Sequence, residues 1–259
     1  IGDGAYDAAM RAAVRVFFYQ RIGFAKAPPF ADPRWTEGVS YEGPNQDTQA
    51  RSRWAKTDAS TARDLRGGWM DAGDTNKYTT FAHTAVLPLL HAYRSNPAVF
   101  GDDFGIPESG NGIPDLLDEV KWELDFLKRM QDATGTGGFV LKVGVDTYEG
   151  KASPPSSDRR ARYYVPECTS ATLAGASMFA AAGVVYRGVP ALAGYGNDLV
   201  ARAQAAWSRA KVTTNNFTSF ETNCDDQDVK AGDADRAAAD QLSDAVLVGD
   251  TLYLAGRIG

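Results

Sequence analysis

Apolar residues recur three and four positions apart along several stretches, the spacing that puts side chains on one face of a helix. The first stretch runs from about Tyr6 to Arg21. It aligns Met10, Ala13, Val14, Phe17 and Phe18, and Gly23 follows as a stop signal. A second covers roughly Lys77 to Arg94 and contains Pro88, where a missing backbone donor predicts a kink or a break. Asn111-Gly112-Ile113-Pro114-Asp115 opens a third, with Pro114 suited to a first helical turn. Its apolar stripe is Leu116, Leu117, Val120, Leu124, Leu127 and Met130, and Gly135, Gly137 and Gly138 close it. Phe139 to Val145 alternates weakly, as a short strand does. The fourth helix, about Ser170 to Tyr186, is rich in Ala and Gly and is expected to pack closely between neighbours. A fifth covers about Asp198 to Lys211. A sixth begins near Asp235, with Asp233 or Asp235 as N-cap, carries Leu242, Val246, Leu252 and Leu254, and reaches nearly to Gly259.

Six sizeable helices joined by long loops predict an all-α architecture. The connections are too long for a tight four-helix bundle, and no repeat of fixed period marks a solenoid. The longest polar stretch, Phe24 to Gly68, holds Pro28, Pro29, Pro33 and Pro44 and reads as a loop that is either functional or disordered. Lys151 to Arg160 is Pro/Ser-rich and basic, a surface loop. Apolar residues at 44% and charged residues at 23% fit a globular chain and exclude a disordered or collagen-like one. The net charge is −6 and Lys and Arg are nowhere concentrated, so no nucleic-acid footprint is present. Leu173 to Tyr186, the most apolar stretch, is broken by Gly and Ser and falls short of the ~20 residues that span a bilayer, so no membrane segment is expected. Cys168 and Cys224 could form one bridge or none. His83 and His91 read as structural, and no Cys or His spacing suggests zinc.

The chemically informative segment is Gly67-Gly68-Trp69-Met70-Asp71-Ala72-Gly73-Asp74. Two carboxylates stand three apart around a glycine that permits a tight turn, just before the second helix, whose N-terminus carries partial positive charge. A carboxylate can take a proton from water as a general base, and a neighbouring acid can hold the same water from another direction. Spacing alone favours capping and solvated charge, because most Asp-x-x-Asp pairs ahead of a helix serve those roles.

The surrounding string changes that balance. The chain resembles glycoside hydrolase family 9, the inverting cellulases, whose Gly-Gly-Trp-x-Asp-Ala-Gly-Asp segment matches Gly67 to Asp74. Phe18-Tyr19-Gln20-Arg21 is similar to the end of that family's first helix. The run from Ile106 through Pro114-Asp115-Leu116-Leu117-Asp118-Glu119 is similar to its Pro-Glu-Ser-x-Asn-Gly-Ile-Pro-Asp-x-Leu-Asp-Glu segment, and Cys168 to Ala182 to its Ala-rich helix. The resemblance implies an (α/α)6 barrel of twelve helices that hydrolyses β-1,4-glucan with inversion, with Asp74 as general base and Asp71 positioning the water. It implies no cofactor for the chemistry. An inverting enzyme needs its acid about 6.5–9.5 Å from its base, across the scissile bond. Asp71 and Asp74 share one turn and cannot supply both roles.

The chain departs from the family in three respects. The general acid, a Glu in an Asn-Glu-Val-like segment far towards the C-terminus, has no match in residues 1–259, nor has the His/Arg sugar-binding segment before it. The expectation is therefore the N-terminal portion of a catalytic domain, about six of twelve helices, whose partner is the C-terminal half of the same domain and which alone cleaves little or nothing. The style of the segments matches members that carry an immunoglobulin-like domain ahead of the catalytic one, with Ile1 to Tyr6 as the seam. Many relatives bind zinc, but the corresponding positions hold Ile22, Arg34 and Trp35, so no zinc is expected. Asp102, Asp103, Glu108, Asn111 and Asp115 offer oxygen ligands to calcium, and read equally as an acidic loop leading into a helix.

Sugar faces stack on aromatic rings, which makes Trp35, Trp54 and Tyr41 candidates to line a glucan cleft. Tyr78 and Lys77 either touch substrate or hold Asp74. Trp69 is expected beneath the catalytic turn, Trp122 and Trp207 in core or groove, and the Cys224-Asp225-Asp226 cluster in a solvated loop with an ion as a further reading. The substrate expected is cellulose or a soluble β-1,4-glucan or cello-oligosaccharide. Two alternatives stay open: an exo-acting β-glucosidase or glucosaminidase-type relative, and a non-catalytic carbohydrate-binding helical fragment. The resemblance and a polymeric substrate imply a secreted, extracellular protein.

Overall fold

The computed structural model describes residues 4–147, 152–211, 220–224 and 237–256. Six α-helices follow one another: α1 (Asp7–Gln20), α2 (Thr79–Ser95), α3 (Asp115–Asp132), α4 (Thr169–Arg187), α5 (Ala193–Lys211) and α6 (Ala238–Leu254). The candidate caps Asp233 and Asp235, and the acids Asp225 and Asp226, lie outside the described residues. α4 is the centre of the fold. It packs against α2, α5 and α6, and nearly all its residues are buried. By length and composition it could cross a membrane, contrary to the sequence expectation, yet 89% of its apolar window is buried inside the fold. Small residues allow this packing. A Cβ on Gly183 would stand 2.4 Å from Val200 Cγ2, and one on Gly196 would stand 2.9 Å from Gly183 O, so α4 and α5 meet through two glycines. α5 starts at Ala193, ahead of the predicted Asp198, and Gly196 serves close approach instead of breaking the helix.

Two expectations about proline are corrected. α2 runs unbroken through Pro88. Pro88 and Thr84, whose carbonyl loses its donor, are both exposed, so water can replace the missing bond. Pro114 is the N-cap of α3, one residue ahead of the first turn.

The helices carry a four-stranded sheet that periodicity only half revealed. Its order is β1 (Arg51–Ser52), β4 (Tyr163–Glu167), β3 (Val140–Gly144), β2 (Lys77–Tyr78). β1 pairs with β4 in parallel, and the other pairs are antiparallel. Lys77 and Tyr78, expected to begin the second helix, pair with Val143 and Lys142. Two-residue strands are too short to show alternation. The sheet joins the segment after Asp74 to strands drawn from far along the chain.

The long loop from Phe24 to Gly68 folds into short 3-10 turns, anchored by buried Ala31, Tyr41, Ala50 and Leu65. Ile22 is fully buried in the core. Lys26 pairs with Glu37 at 2.6 Å and also donates to Arg21 O. Cys168 and Cys224 form a disulfide with Cα atoms 5.5 Å apart, and beside it Glu221 accepts the Ser170 N–H at the start of α4 at 2.7 Å.

Candidate active site

The Gly67–Asp74 segment is stitched to the end of α1. Ile22 N donates to Gly68 O at 2.8 Å and Met70 N to Gln20 O at 2.9 Å. Gly67 and Gly68 both take positive φ, 82° and 77°. A Cβ on Gly68 would also stand 2.5 Å from the Phe126 ring, so only glycine lets the strand lie on α3 here. Two acids of α3 hold Trp69 from beneath: Glu123 Oε2 accepts its backbone N–H at 2.6 Å and Glu119 Oε1 accepts its indole N–H at 2.9 Å. Burial pushes the Glu123 carboxyl up to about 8, so it is protonated near neutrality. Glu119 also receives Arg21, which Glu108 pairs from its other edge at 2.9 Å.

Asp71 and Asp74 then occupy one closed turn. Asp71 N donates to Asn76 O at 2.8 Å and Thr75 N to Ala72 O at 3.1 Å. The acids do not stand at a helix N-terminus as expected, because β2 intervenes before α2. The left-handed residue of the turn is also not the expected glycine: it is Thr75, at φ 61°. For a β-branched residue this conformation is rare and costs of the order of 1–3 kcal/mol. Asp74 is half-buried, and its oxygens accept the backbone N–H of Asn76 at 3.2 Å and its Nδ2 at 3.1 Å. Among the described residues no cation pairs with it. Asn76 is itself fixed, since its Oδ1 accepts Val145 N–H at 2.9 Å and its Nδ2 lies 3.3 Å from Tyr78 Oη. Partial withdrawal from solvent, then the charge of Asp74, push the Asp71 carboxyl above its usual range.

Asp71 lines a cavity of about 200 Å³ between α1 and α2, walled by Phe17, Trp69, Met70, Tyr78 and Phe81. Val16, Gln20 and Met70 are shared with a second opening at Ala72 and Gly73, and Val16 and Tyr19 with a third that reaches Trp35. Asp71 therefore borders an open trough along α1, while Asp74, three residues on in the same turn, lines none of these three openings. Trp35, 65% exposed, lies at the far end of the trough. Trp54, 50% exposed, lines none of these openings.

The remaining candidates have other surroundings. Tyr41 is 1% exposed and cannot stack on sugar; its hydroxyl sits 2.5 Å from Thr75 Oγ1 and 3.2 Å from Asp158 Oδ2. Tyr78, 4% exposed, contributes to the cavity wall and supports Asn76. Lys77 is fully buried and donates to Leu65 O and Gly67 O, both at 2.7 Å, while pairing with Asp47 at 2.7 Å. It supports the motif from below, and burial lowers its ammonium to about 8. Trp122 donates to Gly68 O, and His83 stands 3.6 Å from Asp244 on α6.

The acidic loop does not gather into a cation cage. Asp102 accepts the Gly110 and Gly112 amides, Asp103 pairs with Arg11, Glu108 with Arg21, and Asn111 donates to Asp118. Asp115 Oδ2 accepts Ser109 Oγ–H at 2.6 Å and Phe104 N–H at 2.5 Å. These bonds brace the start of α3, yet Asp115 Oδ1 is buried without a hydrogen-bond partner, and burial, then the charges of Glu108, Asp115 and Asp102, push the Asp118 carboxyl up to about 6. Among the described residues the one cluster of three metal-ligating types is Cys168, Glu221 and Cys224, whose sulfurs are bonded to each other.

Asn76, Thr75, Arg162 and Glu123 are the site residues that pattern reading missed. Only Asn76 carried a local signal, as an Asn two residues beyond an acid, where side chain to backbone bonds are common. Arg162 is 87 residues from Thr75, whose carbonyl it binds, and no local pattern points to it.

Comparison with known proteins agrees with this geometry. The chain is 30% identical over 221 residues to a cellulose 1,4-beta-cellobiosidase of Acetivibrio thermocellus, covering 76% of this chain and 24% of that protein. It is 32% identical over 192 residues to a cellodextrinase of Butyrivibrio fibrisolvens, covering 72% and 32%. A solved metagenome-derived family 9 endoglucanase superposes with a TM-score of 0.79 at 28% identity, over 96% of this chain and 43% of that one. The chain thus spans a quarter to a third of these curated relatives and less than half of the solved structure. Its six helices are a portion of an (α/α)6 barrel. The family description that matches residues 6–255 is glycosyl hydrolase family 9, and the chain belongs to that family.

Proposed function

We propose that this chain supplies the water-activating side of an inverting β-1,4-glucan hydrolase. Asp74 is the general base, and Asp71 holds the attacking water from a second direction. The carrying observation is the shared turn: two carboxylates three residues apart, in a turn closed by the Asp71 N to Asn76 O bond, with Asp71 on an open trough, Asp74 oriented by Asn76, and no cation paired with Asp74 among the described residues. Water held at Asp71 in the trough would meet Asp74 from the same side, because the two acids share one turn. A sugar lying along α1 would present its anomeric carbon to that water, with Trp35 at the distant end as a stacking surface. The general acid must approach from the opposite side of the sugar. Glu123 does not fill that role, because it lies under Trp69 with its carboxyl engaged by the backbone.

The acid is to come from a further part of the barrel. Val16 on α1 and Leu242, Val246, Tyr253 and Leu254 on α6 are all more than half exposed, Val246 at 72%. Apolar faces of this kind call for cover, which supports a C-terminal half packing against both edges. The Cys168–Cys224 disulfide supports an oxidising, extracellular location, where polymeric glucan is found.

The test is Asp74→Ala in the full-length protein, assayed by release of reducing ends from β-1,4-glucan. Turnover should vanish while circular dichroism and melting stay unchanged. Near-normal activity would remove Asp74 from the mechanism. Calorimetric binding of cello-oligosaccharides by the wild-type protein without any sugar release would instead favour a carbohydrate-binding fragment.

A further inference from the structure

Asp74 is followed by a residue in a conformation that its side chain disfavours. Thr75 stands at φ 61°, and two contacts from distant parts of the chain converge on it. Arg162, wholly buried just before β4, donates from Nη2 to Thr75 O at 2.9 Å. Its guanidinium lies 4.1 Å from the centre of the Tyr41 ring, and Tyr41 Oη reaches Thr75 Oγ1 at 2.5 Å. Arg162 Nε is in turn held by Asp47 Oδ1 at 2.8 Å, and the other oxygen of Asp47 meets Lys77 Nζ at 2.7 Å. Arg162, Tyr41, Asp47 and Lys77 therefore form one buried assembly around the residues that flank Asp74.

We propose that Arg162, stacked on Tyr41, is a positioning residue for the general base: it holds Thr75 in the left-handed conformation that keeps the Asp74 carboxylate on the Asn76 N–H and Nδ2, in the turn it shares with Asp71. This rests on the reading of Asp74 as base. The argument is geometric. A threonine free to choose would relax towards negative φ, and the peptide joining it to Asp74 would rotate with it. That rotation would carry Asp74 away from the Asn76 N–H and Nδ2 that now orient its two oxygens. Arg162 itself is sealed from solvent and cannot touch substrate. Its influence runs through the Thr75 carbonyl, the Tyr41 ring and the Asp47–Lys77 pair. A forked guanidinium serves here because it bonds Asp47 and Thr75 at once while lying flat on an aromatic face, which an ammonium cannot do.

Arg162→Lys keeps the charge opposite Asp47 and loses the fork. In the full-length protein, with a soluble cello-oligosaccharide as substrate, its kcat should fall about 10- to 100-fold, the scale of a displacement near 1 Å, with KM within about twofold of wild type. Adding Thr75→Gly to that variant removes the steric objection to positive φ and should restore kcat at least about fivefold over Arg162→Lys alone. A purely structural arginine would show no such rescue. If Arg162→Lys fails to fold, Tyr41→Phe provides the same reading, since it keeps the ring under Arg162 and deletes the hydroxyl that reaches Thr75 and Asp158; its kcat should fall by about fivefold or more at unchanged KM. Wild-type kcat in Arg162→Lys or Tyr41→Phe, a loss confined to KM, or no rescue by Thr75→Gly would each overturn the inference. Asp74→Ala run in parallel separates the two claims: an inactive Asp74→Ala beside a fully active Arg162→Lys sinks only the positioning role, whereas an active Asp74→Ala sinks the base.

Discussion

Gly144→Ala puts one methyl group where the site has no room for it. Gly144 lies in β3 opposite Tyr163, and a Cβ there would stand 2.0 Å from Asn76 Oδ1 and 2.5 Å from its Cγ. No real contact is that short, so the carboxamide must turn away or β3 must shift. If Asn76 turns, the buried Val145 N–H loses its acceptor, a cost of about 1–3 kcal/mol. Residual overpacking adds about 1–3 kcal/mol. Loss of glycine's freedom in the unfolded chain returns about 0.4–1 kcal/mol. The net expectation is a destabilisation of about 2–4 kcal/mol, read from urea unfolding at fixed pH by the shift in midpoint at constant slope. The structure also predicts non-additivity. In an Asn76→Ala background the clashing atoms are gone, so adding Gly144→Ala should cost less than about 1 kcal/mol. A Gly144→Ala cost below about 0.5 kcal/mol, or two costs that simply sum, would refute the reasoning. So would full turnover in the full-length variant, because Asn76 Nδ2 would no longer orient Asp74.

Two further expectations concern the support of the fold. Glu123 is raised by burial from its ordinary 4.5 to about 8, so the folded chain keeps a proton that the unfolded chain has lost; its contribution to stability is full below about pH 4.5 and fades as pH rises to about 8. Glu123→Gln should flatten this decline, and urea midpoints at pH 5 and pH 7.5 that fall no further in wild type than in the variant would contradict it. Lys77, lowered to about 8, contributes with the opposite slope above that pH. Replacing both Cys168 and Cys224 by Ala opens a loop with a sequence separation of 56, which chain entropy values at about 4 kcal/mol. A reduced protein that melts where the oxidised one does would show that the bridge adds nothing.

The site divides into what a string of residues can announce and what it cannot. Gly67 to Asp74 was legible because both acids and three glycines lie within eight positions, and the turn they make is closed by near neighbours. The support beneath the turn was not. Lys77 was legible as a neighbour of the motif, but its buried bonds to Leu65 and Gly67 carbonyls depend on how the preceding loop folds back. Tyr41 looked like a sugar platform from its place in an aromatic, polar loop. Its burial against Arg162 follows from the parallel pairing of β1 with β4, which no local pattern encodes.

By itself the sequence determined the helices, because their faces repeat every three or four residues and burial rewards that period wherever the chain goes. It also determined the family and the acid pair, since both are carried by short contiguous runs. Only the tertiary structure decided that α5 begins at Ala193, that the cysteines join, that Thr75 takes the left-handed turn, and that Asn76 and Arg162 serve Asp74. Each of these depends on atoms brought together from remote positions. Their free energy comes from contacts such as glycine on glycine, guanidinium on ring and amide on carboxylate, and these exist only once the helices and the small sheet have met.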